Sequence, residues 1–271
     1  MENDIVNVLN GFDRIFSLNG YSVSSEDASY YKYMRLDRLV KNVEDRELIF
    51  VSPDLWQDPF EKLYHGIDCS CRGLMSTPEI ACMCVTDKSS TNEEAMWKAY
   101  ADNEKVVRVS FDANSLFALL SDYAKKNNCD IYIGRAIYKY SKDEIKSFYK
   151  NNLFCPSVMN VEHYLNLMLL KRVAFSYENE IRIFIVNKGG STFYENGLVS
   201  VPVDYKEERL IGRVKLGPYP PIDPKLFDAK LIKKRNNLEE ELYKEKLKTL
   251  LECSVEQSRL YEPKSKIKAM R

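Results

Sequence analysis

The sequence predicts an α+β fold: a single domain with mixed and antiparallel sheets around a cleft flanked by helices. Three observations carry this reading. Strand-like and helix-like runs follow one another without the regular strand–helix–strand order of wound parallel sheets. The 271 residues are 45% apolar and 12% aromatic, enough for a sizeable core. No repeat, low-complexity run or linker divides the chain. The expected organisation is an N-terminal helix and loop (1–29), an α+β catalytic-type domain (30–235), and a C-terminal helix with a basic tail (236–271).

The elements follow from apolar spacing. Residues 1–20 place Ile5, Val8, Leu9, Phe12 and Ile15–Phe16 on one side of a short helix. After a polar loop, Tyr30 to Arg35 is a short aromatic strand and Leu36 to Val43 a helix. Glu47 to Ser52 is a strand stopped by Pro53. Ile80 to Val85, Val106 to Phe111 and Ile131 to Tyr138 read as strands. Between them lie helices from Asn92 to Ala101 and from about Asn114, with Leu116, Leu119, Leu120 and Tyr123 at helical spacing. A helix from Asn160 to Ala174 leads into a strand over Tyr177–Val186. Leu198 to Val203 and Val214 to Leu216 are strands, and Leu238 to Leu251 is a charged amphipathic helix.

Charge and composition remove several classes. Lys plus Arg equals Asp plus Glu at 40 each, so no global field draws the chain to nucleic acid or membrane. The longest apolar run, Leu165 to Leu170, is broken by Asn166, and the acidic start Met1–Asp4 lacks the features of a signal peptide. A soluble, cytoplasmic protein with no membrane partner is expected. Seven cysteines fit a reducing compartment. With two histidines against eighteen tyrosines, a His-centred triad or His-rich metal site is disfavoured.

Other motifs weigh little. Cys69-x-Cys71 and Cys82-x-Cys84 invite zinc, but structural zinc ligands stand two to four residues apart, so these read as core and no metal is expected. Gly-x-Gly-x-x-Gly after a strand, a Walker loop and His-Glu-x-x-His are all missing. Glu144-Ile145-Lys146 has the form of a nuclease pair, yet its charged helical setting favours an exposed ion pair. His65 and His163 lack partners at ligand spacing. The basic tail (Lys264, Lys266, Lys268, Arg271) reads as a solvated charge run.

The informative segment is Tyr177–Val186. Ile181, Ile183 and Ile185 alternate to one face, which puts Glu178, Glu180 and Arg182 in one row on the other, with Phe184 beyond. The row is either a solvated salt-bridge ladder or a carboxylate dyad at the floor of a cleft. A second strand offers Tyr31, Tyr33 and Arg35 on one face, and Trp97 and Tyr100 share a helix face.

These segments in order resemble an uncharacterised bacterial domain family. Its pattern stands here as Tyr31-Lys32-Tyr33, Phe50-Val51-Ser52-Pro53, Gln57-Asp58-Pro59-Phe60-Glu61, Met96-Trp97-Lys98-Ala99-Tyr100-Ala101-Asp102-Asn103 and Tyr177 to Ile183, closing on Gly217-Pro218. The resemblance runs from about Tyr30 to Gly217. Gln57 departs from the usual Asn, Glu104-Lys105 from a usual Gly, and Phe175 from a usual Trp. By layout the chain also resembles the ADP-ribosyltransferase superfamily. That likeness implies NAD as substrate, held by Arg35 (or Tyr33 in the equivalent role) and Ser52. It makes Glu180 the catalytic glutamate, with Glu178 helping to activate the acceptor.

The chemistry agrees with the likeness. Breaking the nicotinamide–ribose bond builds positive charge on the ribose, which a fixed carboxylate stabilises. Cationic nicotinamide suits stacking on Tyr31, Tyr33, Trp97 or Tyr100, and a pyrophosphate suits the Arg35 guanidinium. Arg182 and Asp58 are expected as supports. The expected activity is ADP-ribose transfer from NAD to a nucleic acid or protein, as in bacterial toxins and phage-defence effectors, which implies an antitoxin or chaperone partner. The rivals are a non-catalytic binding module of the same fold and, with least support, a metal-dependent nuclease.

Overall fold

Alternating apolar residues build one sheet, strand by strand, in a computed structural model that describes residues 8–23, 28–59, 61, 78–87, 93–101, 105–140, 143–144, 160–189, 193–218 and 241–258. The strands are β1 (Ile15–Ser17), β2 (Ser29–Arg35), β3 (Glu47–Val51), β4 (Ile80–Thr86), β5 (Val106–Asp112) and β6 (Cys129–Arg135). They continue as β7 (Ile137–Tyr140), β8 (Leu170–Arg172), β9 (Glu180–Asn187), β10 (Leu198–Pro202), β11 (Ile211–Leu216) and β12 (Ser254–Gln257). The helices are α1 (Leu36–Glu44), α2 (Glu93–Ala101), α3 (Ala113–Asn127), α4 (Val161–Leu167) and α5 (residues 241–251). Together they form a single α+β domain.

The main sheet runs β1-β6-β9-β4-β2-β5-β11-β12, with β3 joining β4 and carrying β10 on its other side. Only β1–β6 and β11–β12 pair in parallel within it, and the other neighbours are antiparallel. A separate two-stranded piece pairs β7 with β8. One face buries Ile181, Ile183 and Ile185 with Met83, Val85, Val107, Val109 and the inner side of α3 in the larger core. The other face carries Phe184, Cys82 and Tyr132 under Tyr164, Leu165 and Met168 from α4 and the turn after it.

One seam divides the sheet. β2 and β4 meet at a single pair, Tyr31 opposite Thr86, and β4 meets β3 only at Cys82 opposite Val51. Between these contacts Lys32 Nζ donates to the Cys84 carbonyl at 3.1 Å. The strands thus part immediately beside the row that carries Glu180.

Local chemistry sets the helix ends. Asp112 accepts from Ser115 N–H at 2.8 Å to start α3, and Asn128 at φ 50 ends it. Asn160 accepts from His163 N–H at 2.8 Å to start α4.

Four expectations are corrected. The part of the expected N-terminal helix that lies within the described residues is a 3-10 turn at Val8–Gly11, after which Arg14 at φ 59 redirects the chain and Ile15–Ser17 pairs with β6. The expected strand Ile131–Tyr138 breaks at Ala136, whose N–H goes to Glu180 O at 2.9 Å, and β7 leaves to pair with β8. The expected helix to Ala174 stops at Leu167, because Leu167–Leu170 is buried all round and its periodicity does not separate helix from strand. The strand expected from Tyr177 begins at Glu180, since Val173–Glu178 winds as a 3-10 helix and Asn179 sits at φ 44. The sequence reading also missed β12. The basic tail, Cys69, Cys71 and His65 lie outside the described residues, as does Lys146 of the nuclease-like pair. Among the described residues no helix is long and apolar enough to cross a membrane.

Gly134 explains how closely the α4 side packs. A Cβ there would stand 2.7 Å from Leu169 Cδ1 and 2.9 Å from Leu18 Cβ. Gly134→Ala is therefore expected to lower stability by about 1–3 kcal/mol, read from the denaturant midpoint.

Candidate active site

The site begins with a buried arginine. Arg182 is 1% exposed, on the β9 face away from the larger core, opposite Cys84 on β4 and Gly134 on β6. A guanidinium so placed needs partners on every side. Nε donates to Glu180 Oε1 at 2.5 Å, Nη2 to Glu61 Oε2 at 2.8 Å, and Nη1 to the Met168 carbonyl. The Trp56 ring covers it, 4.5 Å from Cζ to the centroid.

Lys171, on β8, is the second buried cation. Nζ donates to Glu178 Oε2 at 2.7 Å and to Glu180 Oε2, and stands 3.7 Å from Glu61 Oε1. The Phe175 ring lies against Lys171 and Arg172. Asp58 takes two hydrogen bonds from Arg172, at 2.8 and 3.0 Å. That pins the 58–61 segment where Glu61 can reach both cations. Tyr138 OH accepts from the Glu180 N–H at 2.8 Å and fixes the start of β9.

Three carboxylates face two cations here, one negative charge in excess. The two ends of the Glu-x-Glu pair respond in opposite ways. Burial would push Glu180 up, but the Arg182 and Lys171 cations outweigh it and hold that carboxyl well below its ordinary value. Burial raises Glu178 to about 7, with Lys171 opposing and the Glu180 charge adding to the rise. One carboxylate stays ionised, and the other exchanges a proton near neutrality.

Both glutamates line a narrow cleft of about 10 Å³, room for a single water, at the seam between β2 and β4, walled by Tyr31, Tyr33, Tyr100 and Thr86. Tyr31, Thr86 and Glu180 form one cross-strand row. Cys84 also borders the cleft, but the Cys82 thiol beside it and burial push its thiol well above the usual value, which leaves it protonated at neutral pH.

The structure thus gathers Glu178, Glu180, Tyr31, Tyr33 and Tyr100 around one space, with Arg182 directly behind Glu180 and Asp58 behind the loop. Three expected binders stand elsewhere. Trp97 is buried behind Tyr33, edge-on with centroids 4.9 Å apart, and packs with Met96 and Val106. Arg35, at the end of β2, forks onto Asp37 at 2.6 and 3.0 Å on the surface. Ser52 caps the turn at Pro53–Leu55, accepting from Asp54 N–H at 3.3 Å. Glu178 reaches the cleft from the 3-10 turn rather than from the strand face expected of it.

Glu61, Lys171 and Tyr138 were missed. Glu61 closes the Asp-Pro-Phe-Glu segment, and Lys171 is the charge that ends the apolar run before it, so both carried a signal that spacing alone does not read. Among the described residues no group of three or more His, Cys, Asp or Glu is placed to hold a metal ion.

No curated protein matches the chain. A family described as "Protein of unknown function (DUF2971)" matches residues 96–183, a narrower span than the expected Tyr30–Gly217. The matched stretch takes in Tyr100, Lys171, Glu178, Glu180 and Arg182 and leaves Tyr31, Tyr33, Asp58 and Glu61 outside it.

Proposed function

We propose that the chain transfers ADP-ribose from NAD to a macromolecular acceptor, a nucleic acid or a protein. The observation that carries this reading is the split carboxylate pair facing three tyrosines across the seam. Two neighbouring acids driven to opposite protonation behaviour are the arrangement acid–base chemistry uses. With the seam opened to admit it, the flat cationic nicotinamide stacks on Tyr31 and Tyr100, and the ionised Glu180 stabilises positive charge on the ribose as the glycosidic bond breaks. Nicotinamide leaves with the bonding electron pair, which neutralises its ring. The acceptor nucleophile bonds to the ribose carbon, and its proton passes to Glu178.

The setting proposed with it is cytoplasmic, as a toxin or phage-defence effector held in check by an antitoxin or chaperone. A second reading has one observation in its favour. Both Glu180 oxygens are taken by Lys171 and Arg182, as a purely structural ion cluster in a binding module would require.

The test is incubation of the protein with labelled NAD and cell extract, following nicotinamide release and label transfer. Wild type is compared with Glu180→Gln and Glu178→Gln, each checked for fold by near-UV circular dichroism. Wild type is expected to release nicotinamide, and both variants to lose it. A wild type that neither binds nor consumes NAD removes the enzyme reading and leaves the binding module.

A further inference from the structure

A second charged cluster lies on the same sheet face, across the tyrosines from the carboxylates. Tyr33 is opposite Arg108 on β5, and Arg108 is opposite Lys215 on β11. The Arg108 side chain is 10% exposed, its Nη1 donates to Glu93 Oε1 at 2.6 Å, and its Cζ lies 4.9 Å from the Tyr31 ring centroid. Lys215 Nζ reaches both oxygens of Glu93, at 3.0 and 3.1 Å. One carboxylate therefore serves two cations, and this cluster has one positive charge in excess. The cluster around Lys171 has one negative charge in excess when Glu178 is ionised. Tyr31 and Tyr33 separate the two.

We infer that Arg108, oriented by Glu93 and backed by Lys215, is an anion subsite that takes the diphosphate of a nucleoside diphosphate group. The inference rests on the proposed NAD reading for the direction in which the ligand lies, and its own support is the charge pattern. A ligand laid over Tyr31, the half-buried ring between the two clusters, meets carboxylates at one end and cations at the other. It must carry positive charge on a flat ring and negative charge beyond it. Three strand spacings separate β9 from β5, about 14 Å at ordinary sheet geometry, so the two ends are met by different parts of one extended molecule. Arg108 is suited to the anionic part. Its buried guanidinium is already desolvated and fixed by Glu93 and the Tyr31 face, so little ordering remains to oppose phosphate binding. Arg35, the sequence-level choice for this role, is held on the surface by Asp37.

The test is calorimetric titration of the full chain with ADP, inorganic pyrophosphate and adenosine. Wild type is expected to bind ADP at least tenfold more tightly than adenosine, and to bind pyrophosphate. Arg108→Gln is expected to erase that tenfold preference. Lys215→Gln, a partly exposed position that keeps Arg108 and Glu93 paired, is expected to reduce it about threefold. It also decides the matter if Arg108→Gln fails to fold. Equal affinity for ADP and adenosine in wild type, or ADP affinity unchanged in Lys215→Gln and in a folded Arg108→Gln, overturns the subsite. Phosphate-dependent binding without NAD consumption would keep the subsite and sink the transferase reading. Normal NAD turnover with ADP binding indifferent to both variants would do the reverse.

Discussion

Arg182→Ala is expected to lower the unfolding free energy by about 3–5 kcal/mol, the cost of leaving buried carboxylates without their partner. The substitution strips Glu180 and Glu61 of a cation, orphans the Met168 carbonyl and opens a cavity beneath Trp56. Three carboxylates would then face Lys171 alone. The deficit should depend on pH with a definite sign. Glu180 is held below its ordinary value of 4.5, so its contribution is present above that pH and is lost as pH falls through the lowered value. Without Arg182 most of that contribution is missing, so the gap between variant and wild type is widest near neutrality and narrows in acid. Arg182→Lys keeps the charge but loses the fork that reaches three acceptors at once, and should fall between the two. Urea denaturation at pH 7 and at pH 3, inside the window where the Glu180 contribution is being lost, measures each quantity. A variant as stable as wild type at pH 7 would contradict this account of the cluster.

Glu178→Gln is expected to cut nicotinamide release by about 10²–10⁴-fold, the usual contribution of a positioned acid or base. Its pH behaviour separates a proton-transfer role from a structural one. Because Glu178 titrates near 7, the wild-type rate should rise through that region as the base becomes available, and the residual rate of the variant should not. Stability should move the other way. A carboxyl raised from 4.5 to about 7 contributes stability that is complete below 4.5 and lost as pH climbs through 7. Within that window wild type should lose up to about 1.4 kcal/mol per pH unit relative to Glu178→Gln. The variant is thus expected to be the more stable protein at pH 8 and the less active one. Parallel pH profiles of rate and of denaturation midpoint check both halves, and a variant with a wild-type pH–rate profile would exclude Glu178 as the base.

Much of the fold was legible because β2 to β5 and α1 to α3 follow simple periods, with clear punctuation at Pro53. The errors cluster where one residue outweighs a period. Asn179 in the left-handed region ends the 3-10 turn, and Glu178 therefore leaves the strand it shares by spacing with Glu180. Leu167–Leu170 is apolar on all sides, so its change from helix to strand leaves no periodic trace. The site was legible where residues lie close in sequence, as in Glu178, Glu180 and Arg182, or where a strand faces them, as in Tyr31 and Tyr33. Lys171 and Glu61 join through contacts 7 to 121 residues apart, which spacing does not encode. Arg35 and Trp97 had the right chemistry, and their neighbours Asp37 and Tyr33 use it for other ends.

The seam at Tyr31 and Thr86 gives the molecule a mechanical property. On the larger core's side the two halves share a continuous apolar layer, Met83 and Val85 packing in one mass with Val107 and Val109. The ladder between β2 and β4 is a single residue pair, and Lys32, on the face of Tyr30 and Met34, ties β4 from the core side, which leaves the cleft side without a tether among the described residues. The arrangement is that of a bound book, stiff along the spine and free at the page edges. Twisting one half against the other widens or narrows the gap between carboxylates and tyrosines while the hydrogen-bond ladders within each half stay whole. Grip on a bound molecule is therefore adjustable at the cost of very few bonds, and substitutions along the spine, far from any ligand, should alter it.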